Sequence, residues 1–577
     1  MTTFRAVATA ALLGLFAGVA SAADQAAAPF ALQWRTVANN GDTVPADSAA
    51  RPFNSYNPPS VSRDGFVVFR GRSRGPEPPA SGVFARDMSK KGGTLYPIAT
   101  RGMNVPAPNN TGATFNEFPS FARSAIRGRV IATRGNSEPV WRYTTDDGET
   151  RVGTSGVFAA VDGVSLNTAL AQLGLVPGFE QFLVPGVATP ARFDQFPGAP
   201  SPTDEGMVLT KGNYSVGGVR QTGIFYRDLS SGDAAVQLIA NSASVIPNLP
   251  AGVSGITFGS TAPPSAAKGR VVFVGYDNED DPTYGGIYLA TISPSPTLKT
   301  LMSIGDSVPG ISGATFSRFG EGVSFDGANV AFWGTWGTQT QTLRLHCPTE
   351  GNRDRVEYCR DEDPATDRST AERWQDKPIP VNQGIFVHNV SSGKTKLLAR
   401  TRDDNAGIDG FDDFLYWTYS GHPPGTGGGE GDAEPPRWRS AAFLAVSNQG
   451  GGANSAAAFK ARTGDIDPDS RTYETFIDGI YLRRGPNGFP LATVIDTTMG
   501  AAVIDPEAPA GARISSVGIE RDGFRDSQLV ITASMLGDDL VALHAPGDED
   551  GEEESTWAGV YIVKIPDTFA RAIMPRR

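Results

Sequence analysis

Short apolar strands alternate with turn residues along the chain, and one tripeptide marks the pattern: Gly, then Val or Ile, then Phe or Tyr. It stands at Gly82-Val83-Phe84, Gly156-Val157-Phe158, Gly223-Ile224-Phe225 and Gly286-Ile287-Tyr288. It returns at Gly384-Ile385-Phe386, Gly479-Ile480-Tyr481 and Gly559-Val560-Tyr561, with spacings of 74, 67, 63, 98, 95 and 80 residues. β-Branched and aromatic residues favour extended backbone, so each copy predicts a strand. Ahead of most copies comes a turn and another strand, as in Asp64-Gly65 before Phe66–Phe69, Lys268-Gly269 before Val271–Phe273 and Asp326-Gly327 before Val330–Phe332. Asp-Gly between apolar runs is a hairpin signal, because Gly accepts the positive φ of a tight turn. A further strand begins at an aromatic pair: Phe115 and Phe118, Phe193 and Phe196, Phe316 and Phe319, Phe411 and Phe414. After the tripeptide a fourth strand closes in Gly, Val and Pro, as at Ile98–Pro106 and Ile304–Pro309.

Each unit therefore predicts four short strands joined by hairpins. A lone four-stranded sheet cannot bury both faces, so such units stack on their neighbours. Seven of them predict an all-β fold, a seven-bladed β-propeller that protects its edges by radial closure. The last unit has strands around Ile514–Val517, Leu529–Ala533 and Gly559–Val563, with little chain left for a fourth. Leu32–Ala38, followed by Gly41–Pro45, ends as the fourth strands do, so the N-terminal strand is expected to complete the last blade. Two β-sandwiches carrying coincidental motifs are the alternative.

These residues resemble a bacterial exported β-propeller family with NxxGxxAF-type tandem repeats, whose function is not established. Ser324–Phe332 carries the match, with Asp326 in place of the family's Asn, and Ser303–Gly310 resembles the family's inter-repeat signature. The resemblance spans nearly all of the chain after the N-terminal segment, is clear in four or five units, and is degenerate in units two and six. It implies fold and export, and it implies no reaction.

Composition and charge narrow the classes. Of 577 residues, 39% are hydrophobic, enough for a core, and 68 Gly with 43 Pro make turns abundant without low-complexity disorder. A formal net charge of -12 repels phosphate backbones, so no nucleic-acid partner is expected. Arg5 precedes an apolar run from Ala6 to Ala20, and Ala20-Ser21-Ala22 supplies a small-residue cleavage pattern. Residues 1–22 are thus expected to be a signal peptide and 23–577 a single propeller domain, periplasmic or secreted, monomeric and without a membrane span. Cys347 and Cys359 are the only cysteines, and an oxidising compartment favours their pairing as a disulfide. A metal site there would need more ligands, and His346 is the only nearby imidazole.

Most of the large insertions fall between the second strand and the tripeptide strand, at Ser137–Ser155, Thr335–Gln383, Ser447–Asp478 and Leu536–Trp557. Hairpin topology puts residues 335–383, 447–478 and 536–557 as long loops on one face, where binding and catalysis reside. The Gly-, Pro- and acid-rich stretch Gly421–Pro436 is expected on the other face as a flexible loop. Polar residues between the aromatic pairs should meet at the channel mouth of the elaborated face: Asn116, Glu117, Asp194, Gln195, Arg318, Asp412 and Asp413. The loops add Trp141, Arg142, Tyr143, Trp333, Trp336, Arg344, Arg353, Arg355 and Tyr358. Aromatic faces stack on sugar rings and Arg pairs with carboxylate or sulfate, so these residues suit a polysaccharide; packing of the loops is the alternative.

Candidate chemistry is less specific. A lyase removing a proton beside a uronate carboxyl would use His346 as base, Arg344 to neutralise the carboxylate and Tyr358 as acid. His388 follows a tripeptide and reads as structural. Asp465, Asp467 and Asp469 alternate as calcium loops do, as do Asp548 and Asp550, without the terminal Glu and helices of an EF-hand. No cofactor is required by this reading, and Ca2+ is the cation these acidic loops could take; solvated loops are the alternative. No serine nucleophile elbow, zinc HExxH or dinucleotide fingerprint occurs. The sequence therefore predicts a secreted propeller that binds an extracellular or periplasmic polymer, a polysaccharide first, on its elaborated face. A polysaccharide lyase or glycoside hydrolase acting there is the second reading, and a cell-surface protein-interaction scaffold the third.

Overall fold

Each tripeptide lies in the third strand of a blade, and the glycine beneath it sets how closely that blade packs. The computed structural model describes residues 32–73, 78–232, 234–279, 281–346, 374–401, 417–420, 437–440, 443–447, 455–467, 469–471, 473–484, 491–537, 557–566 and 569. Seven antiparallel sheets of about four strands form a propeller. In blade 1 the inner strand is split into Phe53–Tyr56 and Ser60–Val61, both paired with Phe66–Ser73. Ser81–Asp87 follows as the third strand and Leu95–Thr100 as the outer one. The split inner strand recurs in blades 2, 3, 4, 5 and 7. In blade 7 the third strand, Trp557–Lys564, pairs outward with the N-terminal Trp34–Asn39, so the N-terminal strand completes the last blade as expected.

The tripeptide glycine faces another glycine across the sheet in five blades: Gly82 and Gly71, Gly156 and Gly135, Gly223 and Gly212, Gly286 and Gly275, Gly384 and Gly334. On this floor the first inner-strand aromatic meets the third-strand aromatic edge to face. Ring centroids are 5.1 Å apart for Phe53 and Phe84, 4.9 Å for Phe115 and Phe158, and 5.0 Å for Phe193 and Phe225. The same contact measures 5.2 Å for Phe258 and Tyr288 and 5.0 Å for Phe316 and Phe386. A Cβ on Gly212 would stand 2.6 Å from Phe193 Cε1, which explains the glycine. Blades 6 and 7 place Ala461 and Ala533 opposite Gly479 and Gly559, and their third-strand rings are Tyr481 and Tyr561, as Tyr288 is in blade 4.

Blade 6 corrects part of the predicted loop 447–478. Leu444–Ser447 is its inner strand, and the second strand is Ala456–Ile466, paired with Tyr473–Arg484. Three consecutive alanines, Ala456 to Ala458, open that second strand, and alanine's weak strand preference hides it in the sequence. The segment 335–383 carries a hairpin of Thr340–His346 and Trp374–Pro380 rather than loop alone. Residues 1–22, Cys347, Cys359 and most of 536–557 lie outside the described residues, as does Gly421–Pro436. Among the described residues no helix is long and apolar enough to cross a membrane.

The inner strands ring the axis, and one segment of blade 7, residues 519–526, is bonded to all six other blades. From blade 1 the Val61 amide donates to the Asp522 carbonyl at 2.9 Å. From blade 2 Arg123 donates to Asp522 at 2.8 Å and to Glu520 at 2.7 Å. The Arg521 guanidinium donates to the carbonyls of Ala199 in blade 3 at 2.8 Å and Pro263 in blade 4 at 3.0 Å. Ser324 of blade 5 donates to the Arg521 carbonyl and Ser447 of blade 6 to the Asp526 carbonyl, both at 2.6 Å.

If the ring-on-glycine contact sets blade packing, Gly212→Ala destabilises the protein by about 1–3 kcal/mol. Gly500→Ala, where a Cβ meets nothing within 4 Å, changes stability by less than about 0.5 kcal/mol. Urea midpoints at unchanged slope measure both. Equal losses at the two sites would remove this contact as the packing constraint.

Candidate functional site

The axis is a place for charge, though a sealed one. Arg123, Glu520, Arg521, Asp522 and Arg525 are all buried there, and Arg525 pairs with Asp522. Burial pushes the Asp522 carboxyl up, but Arg525, Arg123 and Arg521 outweigh it and hold the group below the usual carboxylate range. Residues 519–526 thus stand at the axis, where the sequence left a channel open.

That face is raised by hairpins extended from the second and third strands. In blade 2, Trp141–Thr145 pairs with Gly148–Val152, and period-two alternation divides its side chains. Trp141 and Tyr143 pack against the body, with Trp141 edge-on to Phe179 at 4.7 Å. Arg142 and Arg151 stand directly opposite each other on the other side, 53% and 59% exposed, and share Glu149. The Glu149 carboxylate is 3.8 Å from Arg142 and 2.9 Å from Arg151. Like charges directly opposed in a hairpin are unfavourable, and one exposed carboxylate offsets this only weakly.

A second arginine pair joins blades 5 and 6. Arg344 holds Asp376 across its own hairpin with two bonds, 2.9 and 3.1 Å. Arg471, at the tip of the blade 6 hairpin, donates to the same carboxylate at 2.5 Å, and its carbonyl accepts the Arg344 amide at 2.9 Å. The side-chain bond from Arg344 is the main reason why the Asp376 carboxyl sits below its usual range. Arg471 has φ 62, a left-handed conformation costly for a side chain other than Gly or Asn, and the inter-blade bonds hold it there.

The predicted residues are placed unevenly. Trp333 and Trp336 are corrected: both lie in the second strand of blade 5, Asn329–Trp336, and are buried, Trp333 donating from its indole to Gln383 at 3.2 Å. The apolar run continues through both, so they belong to the core rather than to a loop. Trp141 turns its ring to the body, which corrects its reading as an open platform. Arg344 is already paired with Asp376. Glu117 is exposed, whereas Asp194 accepts from Ser215 of its own blade at 2.8 Å and Arg318 of blade 5 donates to the Glu279 carbonyl of blade 4 at 2.5 Å. Asp467 accepts the Asp469 amide at 2.7 Å and so shapes the blade 6 hairpin tip, while Asp465 is in the second strand opposite Thr475. Among the described residues no group of three His, Cys, Asp or Glu could hold a metal ion. His346 ends its strand opposite Trp374; Tyr358, Asp412 and Asp413 lie outside the described residues. Sequence reasoning missed Arg151, Asp376, Arg471 and the whole axial cluster, since only strand pairing and ring closure bring them to their partners.

His388 is buried, with Nδ1 2.9 Å from the Thr395 hydroxyl. Burial first, and the charge of Lys299 second, lower its imidazole to about 4 from 6.5. The unfolded chain therefore takes up a proton between pH 6.5 and 4 that the folded chain refuses, and stability falls as pH drops through that window. Asp522 acts in the same direction at lower pH: its contribution is present above the ordinary carboxylate range and lost as pH falls through its depressed value. Denaturant unfolding from pH 7 to pH 4 is expected to lose up to about 3 kcal/mol through His388. His388→Gln should flatten that slope, and an unchanged slope would remove His388 from the account.

No curated protein sequence matches the chain. Among solved structures it is similar to an oligogalacturonate lyase in complex with manganese, at 10% identity and TM-score 0.37, covering 93% of this chain and 97% of that one. It is similar to the β-propeller domain of the trilobed protease from Pyrococcus furiosus, with open velcro topology, at 8% identity and TM-score 0.35, covering 85% and 91%. A third likeness is to the polysaccharide lyase Uly1, at 10% identity and TM-score 0.27, covering 52% and 58%. None of these likenesses carries an activity over to this chain. A family model described as a family of unknown function (DUF7453) matches residues 31–344, more than half of the sequence, and the chain belongs to that family.

Proposed function

We propose that the protein is an exported propeller whose hairpin-bearing face binds an anionic polymer, a polysaccharide with uronate or sulfate groups, in the periplasm or outside the cell. One observation carries the reading: two arginine pairs on that face, Arg142 with Arg151 and Arg344 with Arg471, each share a single carboxylate. Arg142 and Arg151 outnumber the Glu149 carboxylate they share and stand exposed, in a chain whose formal net charge is -12. Arg142, Arg151 and Glu149 are all exposed, and exposed ion pairs add little stability, so stability does not account for that pair. Guanidinium groups bind carboxylate and sulfate through paired N–H donors, and two separated clusters suit a ligand that repeats its charge. Export rests on the Arg5 to Ala22 pattern, and the tandem-repeat relationship on Ser324–Phe332.

The test is retention of the purified full-length chain on polygalacturonate, a sulfated polysaccharide and a neutral glucan, at low and high salt, with and without Ca2+. Binding to the anionic polymers that weakens with salt is expected. Arg142→Ala with Arg151→Ala should weaken it by about tenfold or more, as lost charge-assisted bonds do. Equal retention on the neutral glucan, or none on any polymer at low salt, would overturn the reading. Ultraviolet absorbance from unsaturated uronate would convert it to a lyase, and reducing ends without that absorbance to a glycoside hydrolase.

A further inference from the structure

The axial cluster does not balance its charge. Among the described residues Arg123, Arg521 and Arg525 face two carboxylates, Glu520 and Asp522, and all five groups are buried. Arg123 engages both carboxylates and Arg525 engages Asp522. The Arg521 guanidinium is left with neutral carbonyls, those of Ala199 and Pro263. The second arm of Arg525 also reaches only carbonyls, Val446 and Phe524, each at a long 3.4 Å. In all three arginines the Nε–H is buried and meets no hydrogen-bond partner among the described residues.

Proton loss does not remove this surplus. Burial, with the charge of Arg123 next, lowers Arg521 only to about 10, so it remains a cation at neutral pH. An uncompensated buried cation is strongly unfavourable, and each buried donor without an acceptor adds to that cost. Carbonyl dipoles offset part of that, whereas an acceptor carrying one negative charge would cancel the surplus and take up unmet donors.

We infer that the axial cluster binds one small monovalent inorganic anion of the halide class, held at Arg521 and its neighbours Arg123 and Arg525. A single charge matches the surplus of one, whereas a divalent oxyanion would reverse its sign. The site is separate from the polymer-binding face and does not rest on that reading. The bound ion is a structural ligand of the hub, tightening the segment that joins all seven blades.

The test uses the full-length protein at constant ionic strength, with gluconate replaced stepwise by chloride or bromide. A saturable rise in the unfolding midpoint, by about 2–4 °C, is expected. Arg521→Gln, which removes the surplus charge and keeps N–H donors, should fold and lose that dependence. Because a hub variant can fail to fold, crystals of the unaltered protein grown in bromide provide the second reading. An anomalous peak within hydrogen-bond distance of Arg521, Arg123 or Arg525 supports the proposal. A midpoint without a saturable anion response, a response kept by Arg521→Gln, or bromide peaks only elsewhere would overturn it.

Discussion

Closure of the ring depends on buried charge at its axis. Blade 7 sends residues 519–526 into the centre, where their main chain and side chains bond to the inner strands of all other blades. Buried ion pairs are weak evidence for net stability, since desolvation cancels much of their attraction. Their consequence is specificity. Arg123, almost 400 residues before Asp522 in the chain, must find that carboxylate or leave it buried and unpaired. An arrangement with a blade missing or out of order leaves the same charges without partners. The final blade also takes its outer strand from the N-terminus, so both ends of the chain converge on one sheet.

Within each blade a second constraint is steric. In blades 1 to 5 a ring from the inner strand and a ring from the third strand meet edge to face, and glycine beneath them gives the space. This contact accounts for the tripeptide: glycine for the floor, a β-branched residue for the strand and an aromatic residue for the stack. Where the floor is alanine, in blades 6 and 7, the third-strand ring is tyrosine. In blade 7 the tyrosine hydroxyl donates to buried Asp505, which also accepts from Trp557 and from Asn39 of the N-terminal strand.

A filled axis and an uneven face divide the molecule's tasks. Polar groups that would line an open channel are spent on closure. The hairpins of the face carry arginines held in pairs by shared carboxylates. Arg471 links two blades at the face: its left-handed backbone at a hairpin tip is held by bonds to the neighbouring blade.

Strand order, blade number and the closing role of the N-terminal strand were legible in the sequence, because the tripeptide, the Asp-Gly turns and the paired aromatics are local signals repeated seven times or nearly so. The same locality misled at Trp333 and Trp336, where an apolar strand runs on past its expected end, and at Ala456–Ala458, where a strand lacks the usual residues. The candidate site was legible only as a face. Arg142 could be read from its loop, but its opposition to Arg151 follows from hairpin register. The sharing of Asp376 by Arg344 and Arg471 follows from two blades standing side by side. The axial cluster was not legible at all. Its charges are scattered between Arg123 and Arg525, and only closure of the ring brings them within hydrogen-bond reach, so tertiary structure alone decided that the centre is sealed.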